Sequence, residues 1–149
     1  TLSDKFWRIL FLIRNNPMID HVSLNVKDLQ KSHDFYLALL KPLGYTRIYS
    51  IEDVANFGVG ITGCSFGENN ETRLWLSGEG ETTKIHLAFR AENEKMVQEF
   101  HEAGLLAGGT CHGAPGPRPQ YGPNYYGGFI LDPDGNNVEA VYRSATPLV

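Results

Sequence analysis

The sequence predicts an α+β fold in which one strand–helix–strands unit occurs twice, the two copies closing an open, curved mixed sheet around a concave space. Three observations predict it. Two segments of alternating apolar character, MIDHVSLNV at 18–26 and KIHLAFRA at 84–91, each precede a helix-period pattern. Each helix pattern is followed by short strand-like runs parted by glycine-rich or polar breaks. Either unit alone would leave one sheet face open, so the two are expected to pair.

In the first copy, 18–77, Asp28 offers an N-cap for the helix DLQKSHDFYLALLKPLG. Its apolar face is Leu29, Phe35, Tyr36, Leu39 and Leu40, and Pro42 and Gly44 end it. Strands are expected at 45–51, 54–61 and 72–76. In the second copy, 83–142, ENEKMVQEFHEAG reads as a helix with Met96, Val97 and Phe100 inward and Gly104 at its end. GAPGPRPQYGPN reads as a long, stiff loop. Strands follow at 125–131 and 137–142, joined by a tight DPDG turn at 132–135. Residues 1–17 read as a separate extension, accessory or foreign to the domain, with Phe6, Ile9, Leu10 and Ile13 on one helical face. That leaves 18–145 as a single domain.

Composition narrows the function classes. Of 149 residues, 42% are hydrophobic and 20% charged, as in ordinary soluble domains. The net charge of -4 and scattered basic residues exclude a nucleic-acid partner and a polybasic membrane surface. No apolar run approaches the roughly 18 residues of a membrane span. Two cysteines, Cys64 and Cys111, make no disulfide framework and are expected as free thiols in a cytoplasmic protein.

His21 and His86 occupy matching places in the two opening strands, so their side chains are expected on the same kind of surface. Glu139 lies mid-strand between apolar neighbours, where a carboxylate is costly unless paired or metal-bound. Two imidazoles and one carboxylate can hold a divalent ion and leave facial positions open for two neighbouring substrate oxygens. His33 and His101, in the helices, are expected at the surface or its boundary. His112 is open between a substrate contact and an incidental residue. Arg118 and Tyr121, in the proline-rich loop, either meet an anionic or polar substrate or pin the loop. Tyr125 and Tyr126 alternate, with Tyr126 expected in the cavity; Arg73 and Trp75 also alternate and are expected at its mouth.

The order of strand-borne His, strand-borne His, and Glu after a DPDGN turn resembles the vicinal-oxygen-chelate superfamily, which includes glyoxalase I, extradiol dioxygenases, fosfomycin-resistance thiol transferases and bleomycin-binding proteins. IDHVSLNVKDLQKSHDFY resembles its opening strand and helix, and LDPDGNNVEAVY its closing hairpin. The resemblance covers about 18–142. It implies paired βαβββ units of the glyoxalase-like fold and one divalent metal, iron, manganese, zinc or nickel, on His21, His86 and Glu139, with Glu139 also catalytic. It implies a small-molecule substrate with adjacent oxygens, and lyase or isomerase chemistry as the commonest activity of single-domain members. Ring-cleaving dioxygenase, thiol transfer and simple sequestration of a small molecule are the alternatives. Aligning NNVEAVY over ETRLWLS sets Leu74 opposite Glu139, so the fourth ligand of glyoxalase I is expected to be missing. Family members commonly dimerise. A homodimer is therefore expected, with His21 from one chain meeting His86 and Glu139 of the other; the short, polar linker SGEGETT permits this.

Overall fold

The structure, a computed structural model, describes residues 18–56 and 62–148. The extension 1–17 and the second half of the strand expected at 54–61 lie outside the described residues. The first unit runs β1 (Val22–Asn25), α1 (Leu29–Leu40), β2 (Thr46–Tyr49), α2 (Ile51–Asn56), β3 (Gly63–Glu68) and β4 (Glu71–Ser77). The second runs β5 (His86–Arg90), α3 (Glu94–Leu106), β6 (Thr110–Pro117), β7 (Tyr125–Leu131) and β8 (Asn137–Arg143). Each unit forms a four-stranded sheet of the same topology, β1-β4-β3-β2 and β5-β8-β7-β6. The opening strand lies parallel to the closing strand, and the other pairs are antiparallel. The repeated βαβββ fold is thus as the sequence predicts.

Both long helices begin at a capping side chain, the first of them at the residue the sequence places there. The Asp28 carboxylate accepts from the Lys31 amide at 2.9 Å, and the Asn93 side chain accepts from the Met96 amide at 2.9 Å. Gly44, with φ 84°, closes the turn after α1 in a left-handed conformation that favours glycine. Their apolar faces join the inner faces of both sheets in one core, with Phe35, Tyr36 and Leu39 from α1 and Val97 and Phe100 from α3. Leu24, Phe66 and Leu74 come from one sheet, and Phe89, Ile130 and Val138 from the other.

Four expectations are corrected. Residues 54–56 belong to α2, because Ser50 and Asp53 cap each other reciprocally: the Ser50 amide donates to Asp53 at 2.7 Å and the Asp53 amide to the Ser50 hydroxyl at 3.1 Å. The missing strand is β3, which the glycines of GCSFGE disguise. The segment read as a loop from Gly113 begins inside β6, a bulged edge strand on which glycine and proline are tolerated. Helix α3 runs past Gly104, which is there for space: a Cβ would lie 2.8 Å from Leu39 Cδ1 and 2.9 Å from Ile130 Cγ1.

Gly109 is tighter still. A Cβ there would meet Ile130 Cγ2 at 2.6 Å, Phe35 Cε2 at 2.8 Å and the Gly104 carbonyl oxygen at 2.9 Å. Gly109→Ala is therefore expected to destabilise the protein by about 1–3 kcal/mol through overpacking. An unchanged denaturation midpoint would show that Phe35 and Ile130 swing aside freely.

The DPDG turn fastens the second unit to the first. Asp132 is buried and its carboxylate accepts four bonds: from the Tyr36 hydroxyl at 2.7 Å, the Asn136 side-chain amide at 2.8 Å, the Asn136 backbone amide at 2.8 Å and the Asp134 amide at 2.9 Å. Burial, then Asp132, push the Tyr36 hydroxyl well above its ordinary pKa.

Candidate metal and substrate site

Side-chain alternation sends Leu87, Phe89, Val138 and Ala140 to the core, so His86 and Glu139 share the opposite face. There His86 Nε2 lies 2.9 Å from Glu139 Oε2. The Glu139 side chain is 2% exposed, whereas the His86 side chain is 54% exposed. Tyr125 donates its hydroxyl to the other oxygen, Oε1. Gly127 leaves room for that oxygen, since a Cβ would lie 2.9 Å from it. Burial first, and then Glu139, push the Tyr125 hydroxyl up to about 12, so it remains a proton donor to the carboxylate at neutral pH.

Tyr125, rather than Tyr126, belongs to this site. In the β7–β8 hairpin Phe129 faces Glu139, and Tyr125 is an even number of residues from Phe129. Tyr126 points to the helix side, 6% exposed, and accepts from the Gln98 side chain at 2.9 Å. Counting back from the DPDG turn would have shown this parity.

His21 lies just before β1 and is half exposed, its Nδ1 2.7 Å from Asp20 Oδ1. Among the described residues of one chain, no three His, Cys, Asp or Glu side chains form a metal-holding group. His86 and Glu139 are thus two donors on one face, and His21 is held elsewhere. Near His21, Arg73 donates to the Asp20 carbonyl at 3.3 Å and pairs with Glu71. Asp20, Glu71 and Arg73 line a cavity of about 780 Å³ that also touches Leu87 and Phe89 of β5. Trp75 stacks on Tyr49, centroids 5.8 Å apart.

Register corrects the internal alignment by one residue. β1–β4 pairing sets Val22 beside Leu74, and β5–β8 pairing sets Leu87 beside Val138. With His21 and His86 equivalent, the counterpart of Glu139 is Trp75, while Leu74 is the counterpart of core Val138. A slip of one residue changes the sheet face. An indole is no better a ligand than Leu74, so the second carboxylate is still absent from the first unit.

A second cleft, of about 260 Å³, adjoins His86 and is lined by His112, Gly113, Arg118, Tyr121, Phe129 and Asn137. It gathers the two expected loop residues and His112. The remaining histidines are buried, contrary to expectation. His33 contacts Asp34 at 2.8 Å and packs on Phe66, while His101 lies 3.3 Å from Cys111 Sγ. Burial lowers the basicity of His101. Cys64 and Cys111 are free thiols; burial pushes that of Cys64 up to about 12.

The sequence profile of the glyoxalase/bleomycin resistance protein/dioxygenase superfamily matches residues 18–140, and the chain belongs to that superfamily. A glyoxalase/bleomycin resistance protein from Albidiferax ferrireducens is 28% identical, with 86% of this chain and 100% of that chain covered and a TM-score of 0.67. A glyoxalase I variant from Zea mays is 30% identical with a TM-score of 0.58; the match covers 81% of this chain and 44% of that one. The fosfomycin resistance protein FosX from Listeria monocytogenes, 21% identical over 84% of this chain and 90% of that chain, shares the fold with a TM-score of 0.61. No curated protein matches the chain. Among the described residues, no helix is long and apolar enough to cross a membrane.

Proposed function

We propose that the chain is a metal-dependent enzyme acting on a small molecule with adjacent oxygens, by lyase or isomerase chemistry of the glyoxalase kind. The observation that carries this reading is the buried Glu139 carboxylate, held by Tyr125 on the sheet face it shares with the half-exposed His86. Such a carboxylate is expensive to bury without a positive partner. His86 and Glu139 of one chain, with His21 of a second copy, would hold one divalent ion: iron, manganese, zinc or nickel. The bound ion would supply Lewis acidity toward the two substrate oxygens. Tyr125 keeps Glu139 oriented, and Glu139 is the nearest group able to hold a proton taken from substrate. The same ligand set serves ring-cleaving dioxygenases and thiol transferases, which are the alternatives within this reading. A protein that only sequesters its ligand would have no use for the triad. The free thiols fit a cytoplasmic protein.

Complementation tests the shared site. His21→Ala and Glu139→Ala chains, each depleted of metal alone, are expected to regain binding when mixed, because one of the two sites in the heterodimer is intact. Absence of recovery would overturn ligation across chains. Hemithioacetal isomerisation is expected to be weak, since Trp75 stands where the second carboxylate would be. Robust turnover of that substrate with a supplied divalent metal would refute this expectation.

A further inference from the structure

We propose that the cleft beside His86 binds the carboxylate of a small 2-hydroxycarboxylate, with Arg118 as its anchor and Asn137 as the acceptor for the neighbouring hydroxyl. This deepens the functional reading above and rests on it for the place of reaction, though not for binding.

The cleft is shaped by irregularities in β6. Pairing with β7 shifts between Cys111 and Gly113, which leaves His112 out of the ladder and among the cleft-lining residues. A second shift between Gly113 and Gly116 makes room for Arg118. A Cβ on Gly113 would lie 2.8 Å from Phe129 Cδ2 and 3.4 Å from Arg118 Nη2; one on Gly116 would lie 3.2 Å from Arg118 Nη1. The two glycines thus let the guanidinium lie over the Phe129 ring, 5.4 Å from its centroid.

Arg118 is fixed but not neutralised. It donates to the Pro117 carbonyl at 3.1 Å and to the Ala114 carbonyl, and no carboxylate among the described residues pairs with it. A guanidinium has five N–H donors, so some remain for a ligand. The lining includes no acidic side chain. A carboxylate is the planar anion that matches this fork. The second observation is independent of charge. Asn137 lines the same cleft, and its side-chain Oδ1 is buried and has no hydrogen-bond partner. A buried acceptor without a donor is costly, and a carboxylate cannot relieve it. A hydroxyl next to the carboxylate can. Asn137 is the register partner of His86, which brings that hydroxyl beside the proposed metal ligand.

The test uses the full chain, kept metal-free with chelator, and follows the side-chain resonances of Arg118 and Asn137 by NMR. L-lactate is the probe, compared with neutral lactamide, with propionate and with inorganic phosphate. Lactate is expected to saturate the shifts, with lactamide about 10-fold weaker or worse, and propionate and phosphate also weaker. Arg118→Gln is expected to weaken lactate by about 10- to 100-fold and leave lactamide unchanged. Asn137→Ala is expected to erase the preference for lactate over propionate. Both variants are first checked for a native-like spectrum. Lactate binding no better than lactamide, phosphate binding tighter than lactate, or an unaffected Arg118→Gln variant would each overturn the proposal. Because the sample contains no metal, these outcomes are separate from any failure of the metal reading.

Discussion

Replacing Glu139 by glutamine is expected to abolish the proposed metal binding while leaving the fold intact. Glutamine matches glutamate in shape, and its carbonyl oxygen can still accept from Tyr125, so the space beside Gly127 stays filled. What disappears is the anionic donor, the strongest attraction a divalent ion meets here. Partners outside the ligand set typically contribute about 10- to 100-fold in metal affinity. Loss of the carboxylate itself is expected to exceed about 100-fold, and Tyr125→Phe to fall within that smaller range. Metal per chain after dialysis against a defined free-ion buffer checks both. An unchanged metal content in Glu139→Gln would eliminate the triad.

Asp132→Ala is expected to be the most damaging single change to stability. It removes a buried carboxylate on which four donors converge, one of them from the other unit through Tyr36. Hydrogen bonds to a charged group contribute about 1.5–3 kcal/mol each, and donors left unpaired add to the loss. Water will reach some of them, so a net destabilisation of about 4 kcal/mol is expected. For a chain of this size that corresponds to a melting temperature lower by about 10 °C. Tyr36→Phe deletes one donor and is expected to lose about 1–2 kcal/mol. Equal stability of Asp132→Ala and the parent would mean that the turn is held by its backbone alone.

The parts of this molecule governed by short-range rules could be read in advance. Asp28 caps α1 where expected, and the inward residues of both helices follow the 3.6 period. His86 and Glu139 were recognisable because a carboxylate between valine and alanine breaks the strand pattern. Elements made by pairing were not. β3 and β6 consist largely of small residues, prolines and glycines, and exist because β4 and β7 supply partners. The bulge that leaves His112 unpaired has no local signal. His33 and His101 look like surface residues by polarity alone, yet each lies in a helix against a strand residue, Phe66 or Cys111. Parity errors account for the rest: one residue separates Leu74 from Trp75 and Tyr126 from Tyr125, and in a strand one residue is the difference between core and cleft.

The single core that joins the two units has a consequence for how the protein can come apart. Leu39 and Phe35 of the first unit pack close to Gly104 and Gly109 of the second and share one core with Ile130, so neither unit owns a complete interior. A break in the linker near Glu81 would leave each fragment with an uncovered apolar surface, and neither is expected to hold its tertiary structure alone. Unfolding should therefore be a single cooperative transition, without a stage in which one duplicate survives the other.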